Sequence, residues 1–108
     1  MGKLSRTKGH SFERDIAREL RDIFPNARRH LEYQDGEANG IDLVGTDIFK
    51  FQCKRKKRYV PVSTMDEIQC GPTSVPVVIT KADRQEAMAI MKWADLKDLI
   101  RIVYMGEK

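Results

Sequence analysis

A chain of 108 residues supplies one hydrophobic core and not two, so whatever chemistry it performs sits on the core scaffold of a single domain spanning 1–108. Lys and Arg number 20 against 16 Asp and Glu, and a net charge of +4 is too small to name a nucleic-acid partner by itself; no apolar run approaches the roughly 18 residues of a membrane span. Cys53 and Cys70 are too few for a disulfide framework and lack a second pair at zinc spacing, and the N-terminus has no apolar stretch of a secretory signal, so reduced thiols and a cytoplasmic location are the expectation.

The spacing predicts a first helix from about Gly9 to Phe24, with Phe12, Ile16, Ala17, Leu20, Ile23 and Phe24 on one arc and Pro25 as a stop. Glu13 falls inside that apolar arc, whereas the other acids and bases of the helix lie outside it. A carboxylate aimed at a core must be paired, protonated or bound to a metal, and a glutamate paired with Arg or Lys explains the position as well as a metal does. Residues 27–32 read as a short exposed strand, and Gln34 to Gly40 as a polar loop. Ile41 to Val44, Gly45-Thr46-Asp47 and Ile48 to Lys54 then read as a β-hairpin. A three-residue turn sets Val44 against Ile48 and Asp42 opposite Lys50, on the same face as Gln52 and Lys54; a two-residue turn reverses that relation. Ser63 to about Cys70 follows as a helix capped by Ser63 and ended by Gly71-Pro72. Val75 to Thr80 is an apolar strand with Pro76 at an edge or at its start. Ala87 to Trp93 reads as a further strand, although its Ala and Met suit a helix as well, and Asp95 to about Val103 is a terminal helix. The order α, β, β, β, α, β, β, α belongs to the α/β class, with a mixed sheet flanked by helices.

Charge comes in blocks. Residues 31–49 carry Glu32, Asp35, Glu37, Asp42 and Asp47 and no base; between Lys50 and Arg58 stand Lys50, Lys54, Arg55, Lys56, Lys57 and Arg58 and no acid. A solvated charge run is the ordinary explanation, but here the sign reverses inside a strand, which brings both signs together in the fold. An aspartate on one strand, Gln-x-Lys on the next and a glutamate from the helix then form a set of oxygen donors with one ammonium. Hard divalent cations such as Mg²⁺ take such donors: Asp42 as the main ligand, the Gln52 side-chain oxygen, the backbone carbonyl of Cys53, and Glu13 directly or through water. The Lys54 ammonium suits the orientation of an attacking water and the charge that builds on a phosphate.

Lys8-Gly9, Phe12-Glu13-Arg14, Gly40-Ile41-Asp42 and Phe51-Gln52-Cys53-Lys54-Arg55 together resemble the PD-(D/E)xK nuclease superfamily, nearest its Holliday junction resolvase and Mrr-like branches. The resemblance covers about Lys8 to Lys57, with Ile41 in place of the motif's Pro and Gln52 in place of the usual Asp or Glu. It implies a restriction-endonuclease-like αβββαβ core and a Mg²⁺- or Mn²⁺-dependent phosphodiesterase that hydrolyses DNA, often as a homodimer. Carried over by motif, the catalytic residues are Glu13, Asp42, Gln52 and Lys54. Lys8, Arg14, Arg28, Arg29, Arg55, Lys56, Lys57 and Arg58 are the candidates for phosphate contacts, which give affinity without sequence choice. Tyr33 and Tyr59 are read first as half-buried aromatics, and His10 and His30 as surface residues. The alternatives are a DNA-binding module of the same fold that has lost catalysis, and a nuclease acting on linear or single-stranded DNA or on RNA.

Overall fold

The structure, a computed structural model, describes residues 2–106, with side chains from residue 9 onward. Lys8 is therefore placed in a helix while its side chain lies outside the described residues. The elements are α1 (Gly2–Leu20), β1 (Arg28–Arg29), α2 (Glu32–Asp35), β2 (Leu43–Val44), β3 (Phe49–Lys56), a 3₁₀ helix (Val62–Glu67), β4 (Val75–Ala82), β5 (Met88–Ile90) and α3 (Trp93–Met105). The result is a mixed α/β architecture. β3 and β4 run parallel over eight rungs from Phe49↔Val75 to Lys56↔Ala82, and β5 pairs antiparallel with β4 from Val78↔Ile90 to Thr80↔Met88.

The pleat of β3 sorts its residues between two layers. Phe51 and Cys53, with Val77 of β4, pack against Phe12, Ile16 and Ala17 of α1 and Leu43 of β2 to form the core. Gln52 points to the opposite face, where β4 contributes the buried Val78 and Thr80 and the 3₁₀ helix covers the sheet with buried Thr64. The helical arc read from sequence thus buries its first members. Ile23 is the exception, 71 % exposed, because α1 ends at Leu20 and the chain turns through Phe24, whose amide bonds the Leu20 carbonyl at 2.7 Å. At its other end α1 begins seven residues before the expected Gly9.

The expected hairpin is not formed. β2 pairs instead with β1, through Arg28↔Val44 and Arg29↔Leu43, while β3 joins a different sheet. The reason lies in the turn. Gly45 adopts φ +78°, with its Cα so close to the Asn26 carbonyl that no side chain fits, Asp47 adopts φ +51°, and the Phe49 amide bonds back to the Thr46 carbonyl at 3.0 Å. This wider turn consumes the backbone groups a tight hairpin would pair. One bridge remains, from the Asp42 amide to the Phe51 carbonyl at 2.8 Å, so Asp42 stands against Phe51 and not Lys50, and the register expected to set Asp42 on the face of Gln52 and Lys54 is not the one formed.

Other differences are smaller. Residues 32–35 coil into α2, and the helix expected from Ser63 is a 3₁₀ helix preceded by Pro61 with no side-chain cap. Pro76 lies in the central strand, but before the rungs that β4 shares with β5, so its missing N–H removes nothing from that second ladder. α3 spans Trp93–Met105, longer than expected, and none of its residues is buried.

Candidate active site

Asp42 sits where the two sheets meet. Its carbonyl accepts from the His30 amide at 2.8 Å, adding a rung beyond β1 and β2, and its amide reaches Phe51 of β3. The carboxylate then turns along the edge of β3, where Oδ2 accepts from the Cys53 amide at 2.8 Å. In a strand the N–H and C=O of one residue point to the same edge, so the Cys53 carbonyl faces Asp42 as well. The carboxyl is pushed up from 3.8 to about 6, chiefly by burial; the Cys53 amide pulls it down, Glu13 pushes it up, and Lys54 and His30 pull it down. The helix glutamate and the strand lysine thus act on the Asp42 charge with opposite signs.

The sign of the resulting pH dependence is fixed. Between pH about 4 and 6 folded Asp42 holds a proton that the unfolded chain has released, so stability falls as pH rises through that window and levels off above it. The thermal midpoint of the metal-free protein, followed from pH 4 to 7, checks this, and Asp42→Asn is expected to remove that component of the slope.

The other residues arrive from two sides. Glu13, 15 % exposed along its side chain, receives Arg29 Nε on Oε1 at 2.9 Å, so the helix glutamate has the basic partner that its position in the apolar arc allowed for. Glu13 and Asp42 line a cleft of about 340 Å³ together with His10, Arg29, His30 and Tyr33. Both histidines, read from sequence as surface residues, thus belong to the wall of this cleft; Tyr33 is 85 % exposed. On the opposite face Gln52 is 3 % exposed, its Nε2 donating to Glu67 Oε1 at 3.1 Å, and Lys54 Nζ stands 3.5 Å from the same oxygen. Gln52 Oε1 is buried and has no hydrogen-bond partner. Burial raises the Cys53 thiol, which leaves its backbone as the useful part of that residue.

Glu67 was not singled out by the sequence, where it is one acid beside another at the end of a short helix. Among the described residues no three His, Cys, Asp or Glu side chains gather closely enough to hold a metal ion by themselves. The basic residues divide into two groups. Arg28 makes a bidentate pair with Asp35, both bonds 2.8 Å, which holds the Asp35 carboxyl well below the usual range, and Arg29 is held by Glu13. Arg14, Lys56, Lys57 and Arg58 are exposed, while Arg55 is half-buried with a buried Nε that has no partner.

No family model, curated protein or solved structure matches the chain. Among the described residues no helix is long and apolar enough to cross a membrane.

Proposed function

We propose that the protein is a metal-dependent DNA endonuclease with a restriction-endonuclease-like core, acting on branched DNA in the manner of a Holliday junction resolvase. The observation that carries this reading is the convergence on Asp42. Its carboxylate is anchored on the Cys53 amide, one residue before Lys54 on β3, and it shares a cleft with Glu13. The order α1, β1, α2, β2, β3, 3₁₀ helix, β4 is compatible with an αβββαβ core only if α2 is taken as an insertion between the first two strands and the 3₁₀ helix stands for the second helix.

The donor set fits Mg²⁺ or Mn²⁺. Gln52 Oε1 is a buried acceptor lacking a partner, a costly arrangement that a hard cation or its water relieves, and Asp42 leaves Oδ1 outside the Cys53 bond. Asp42, Gln52, the Cys53 carbonyl and, through water, Glu13 would hold the ion. When bound, it supplies Lewis-acid stabilisation of the phosphate and a more acidic water. The chain's own groups do the rest. Lys54 places a positive charge beside Asp42, where it stabilises negative charge developing on a phosphate oxygen. Arg29 fixes the Glu13 carboxylate at the cleft, so the carboxylate does not have to be ordered when substrate arrives. Lys56, Lys57 and Arg58, exposed at the end of β3, bind phosphates on either side of the cut.

Incubation with branched, linear duplex and single-stranded DNA and with RNA, in Mg²⁺, Mn²⁺ or EDTA, tests the reading. Metal-dependent cleavage of branched DNA is the expected result. Binding without cleavage in every metal would establish a DNA-binding module instead, and selective RNA cleavage a ribonuclease.

Cutting both strands of a junction needs two sites, and α3 offers a surface for a second copy. Trp93, Leu96, Leu99, Ile100, Val103 and Tyr104 fall within about 140° on this helix, with Trp93 66 %, Val103 74 % and Tyr104 82 % exposed. A contiguous stripe of exposed apolar side chains along one helix is the kind of surface that marks an interaction. Antiparallel pairing about a two-fold near Asp98 sets Trp93 against Val103 and Leu96 against Ile100 and opposes the helix dipoles. Parallel pairing in register would bring Lys97 near Lys92. Ile100→Asp is expected to convert the dimer to a monomer in sedimentation velocity at micromolar protein, with the circular dichroism of the folded chain retained; a monomeric wild type would remove the dimer from the proposal.

A further inference from the structure

We infer that Glu67 is a positioning residue for the candidate metal centre: it fixes the Gln52 amide so that its oxygen, and not its nitrogen, is presented as the ligand. The inference rests on the metal-site reading above and explains how a neutral side chain serves where a carboxylate is usual.

An amide has two faces of opposite character, and a buried Gln is free to offer either unless a neighbour decides. Here the neighbour is an acid. Glu67 Oε1 accepts from Gln52 Nε2 at 3.1 Å; the reverse orientation would set two oxygens against each other, so Oε1 is left as the buried atom without a partner. The same carboxylate oxygen stands 3.5 Å from Lys54 Nζ, which ties the lysine to the amide. One acid therefore holds two members of the candidate site, and the negative charge absent at position 52 is present beside it.

The backbone shows why Glu67 reaches that place. Gly40 takes φ +77° and its Cα lies so near the Glu67 carbonyl oxygen that a Cβ would overlap it. The Gln69 amide bonds to the Asn39 carbonyl at 2.8 Å. The end of the 3₁₀ helix is thus locked to the loop that leads into Asp42, and Glu67 and Asp42 are positioned by one contact region. Glu67 is more than half exposed along its side chain, so it covers the buried amide from the solvent side at little desolvation cost.

The test uses Mn²⁺ binding by calorimetry and the Gln52 side-chain NH₂ resonances in the same samples, with thermal unfolding as the control for folding. Glu67→Ala is expected to weaken Mn²⁺ binding by about tenfold, the lower end for removing a partner that orients a ligand, and to abolish the protection of the Gln52 NH₂ from exchange. Glu67→Gln, whose carbonyl still accepts from Nε2, is expected to keep both within about threefold. If Asp42→Ala abolishes Mn²⁺ binding while Glu67→Ala leaves it unchanged, the positioning role is wrong and the metal site stands. If the wild type binds no Mn²⁺ at millimolar concentration, the metal reading falls, and the inference with it.

Discussion

Asp42→Ala is expected to reduce cleavage of branched DNA by a factor on the order of 10³, the upper range for removing one preorganised electrostatic contact to a transition state. Binding, measured in EDTA by gel shift, should change by less than about threefold, because affinity for DNA is here assigned to phosphate contacts of Lys56, Lys57 and Arg58. The expectation follows from the position of the carboxylate. It is held against the backbone of β3 by the Cys53 amide, and it lines a cleft together with Glu13. Lys54→Ala should give a loss of comparable size, with Lys54→Arg recovering little, since a planar guanidinium does not replace a compact ammonium 3.5 Å from Glu67. Equal loss of binding and cleavage in Asp42→Ala would count against a catalytic role.

The largest effect on stability is expected at Gly40. Alanine there must adopt φ +77°, a region costing an L-residue about 1–2 kcal/mol, and its Cβ would overlap the Glu67 backbone. Since both the loop and the end of the 3₁₀ helix are backbone, neither can yield by a change of rotamer. A loss of more than about 2 kcal/mol follows, or about 10 °C in thermal midpoint for a domain of this size. Gly106, in the left-handed region at φ +67° and ψ 16° with open space around it, is the control: alanine there meets that backbone strain without the overlap and should cost clearly less. Because Gly40 sets the spacing between Glu67 and Asp42, any folded Gly40→Ala protein should also bind Mn²⁺ more weakly.

Much of this was legible in the sequence, for physical reasons that differ by element. Phe12, Ile16 and Ala17 are buried as their helical spacing requires, and β4 is a continuous apolar run because it is covered on both faces. Gln52 and Lys54 share a face of β3, as alternation demands, and both meet Glu67. Pairing partners were not legible. Apolar alternation on both sides of Gly45-Thr46-Asp47 suits a hairpin, yet the contact of Gly45 with Asn26 diverts β2 to β1, and nothing local to residues 41–54 signals it. The same limit hid Glu67, whose partners lie 15 and 13 positions back along the chain and are reached only through the packing of Gly40. Glu13 shows the converse: its place on the apolar arc marked it as a carboxylate requiring a partner, and Arg29 proved to be that partner.

Parallel pairing of β3 and β4 obliges the chain to travel the length of the sheet between Lys56 and Val75 before it can pair again. That return path is where Glu67 resides, so a stretch required by topology alone also carries the acid that bonds Gln52 and stands by Lys54. Tolerance to insertion should accordingly be asymmetric: residues added near Pro72 lengthen a surface turn, whereas residues added between Thr64 and Ile68 shift the acid away from its amide and lysine. Homologous chains, if aligned on the strands, should vary in length on the first side of that divide and hold it constant on the second.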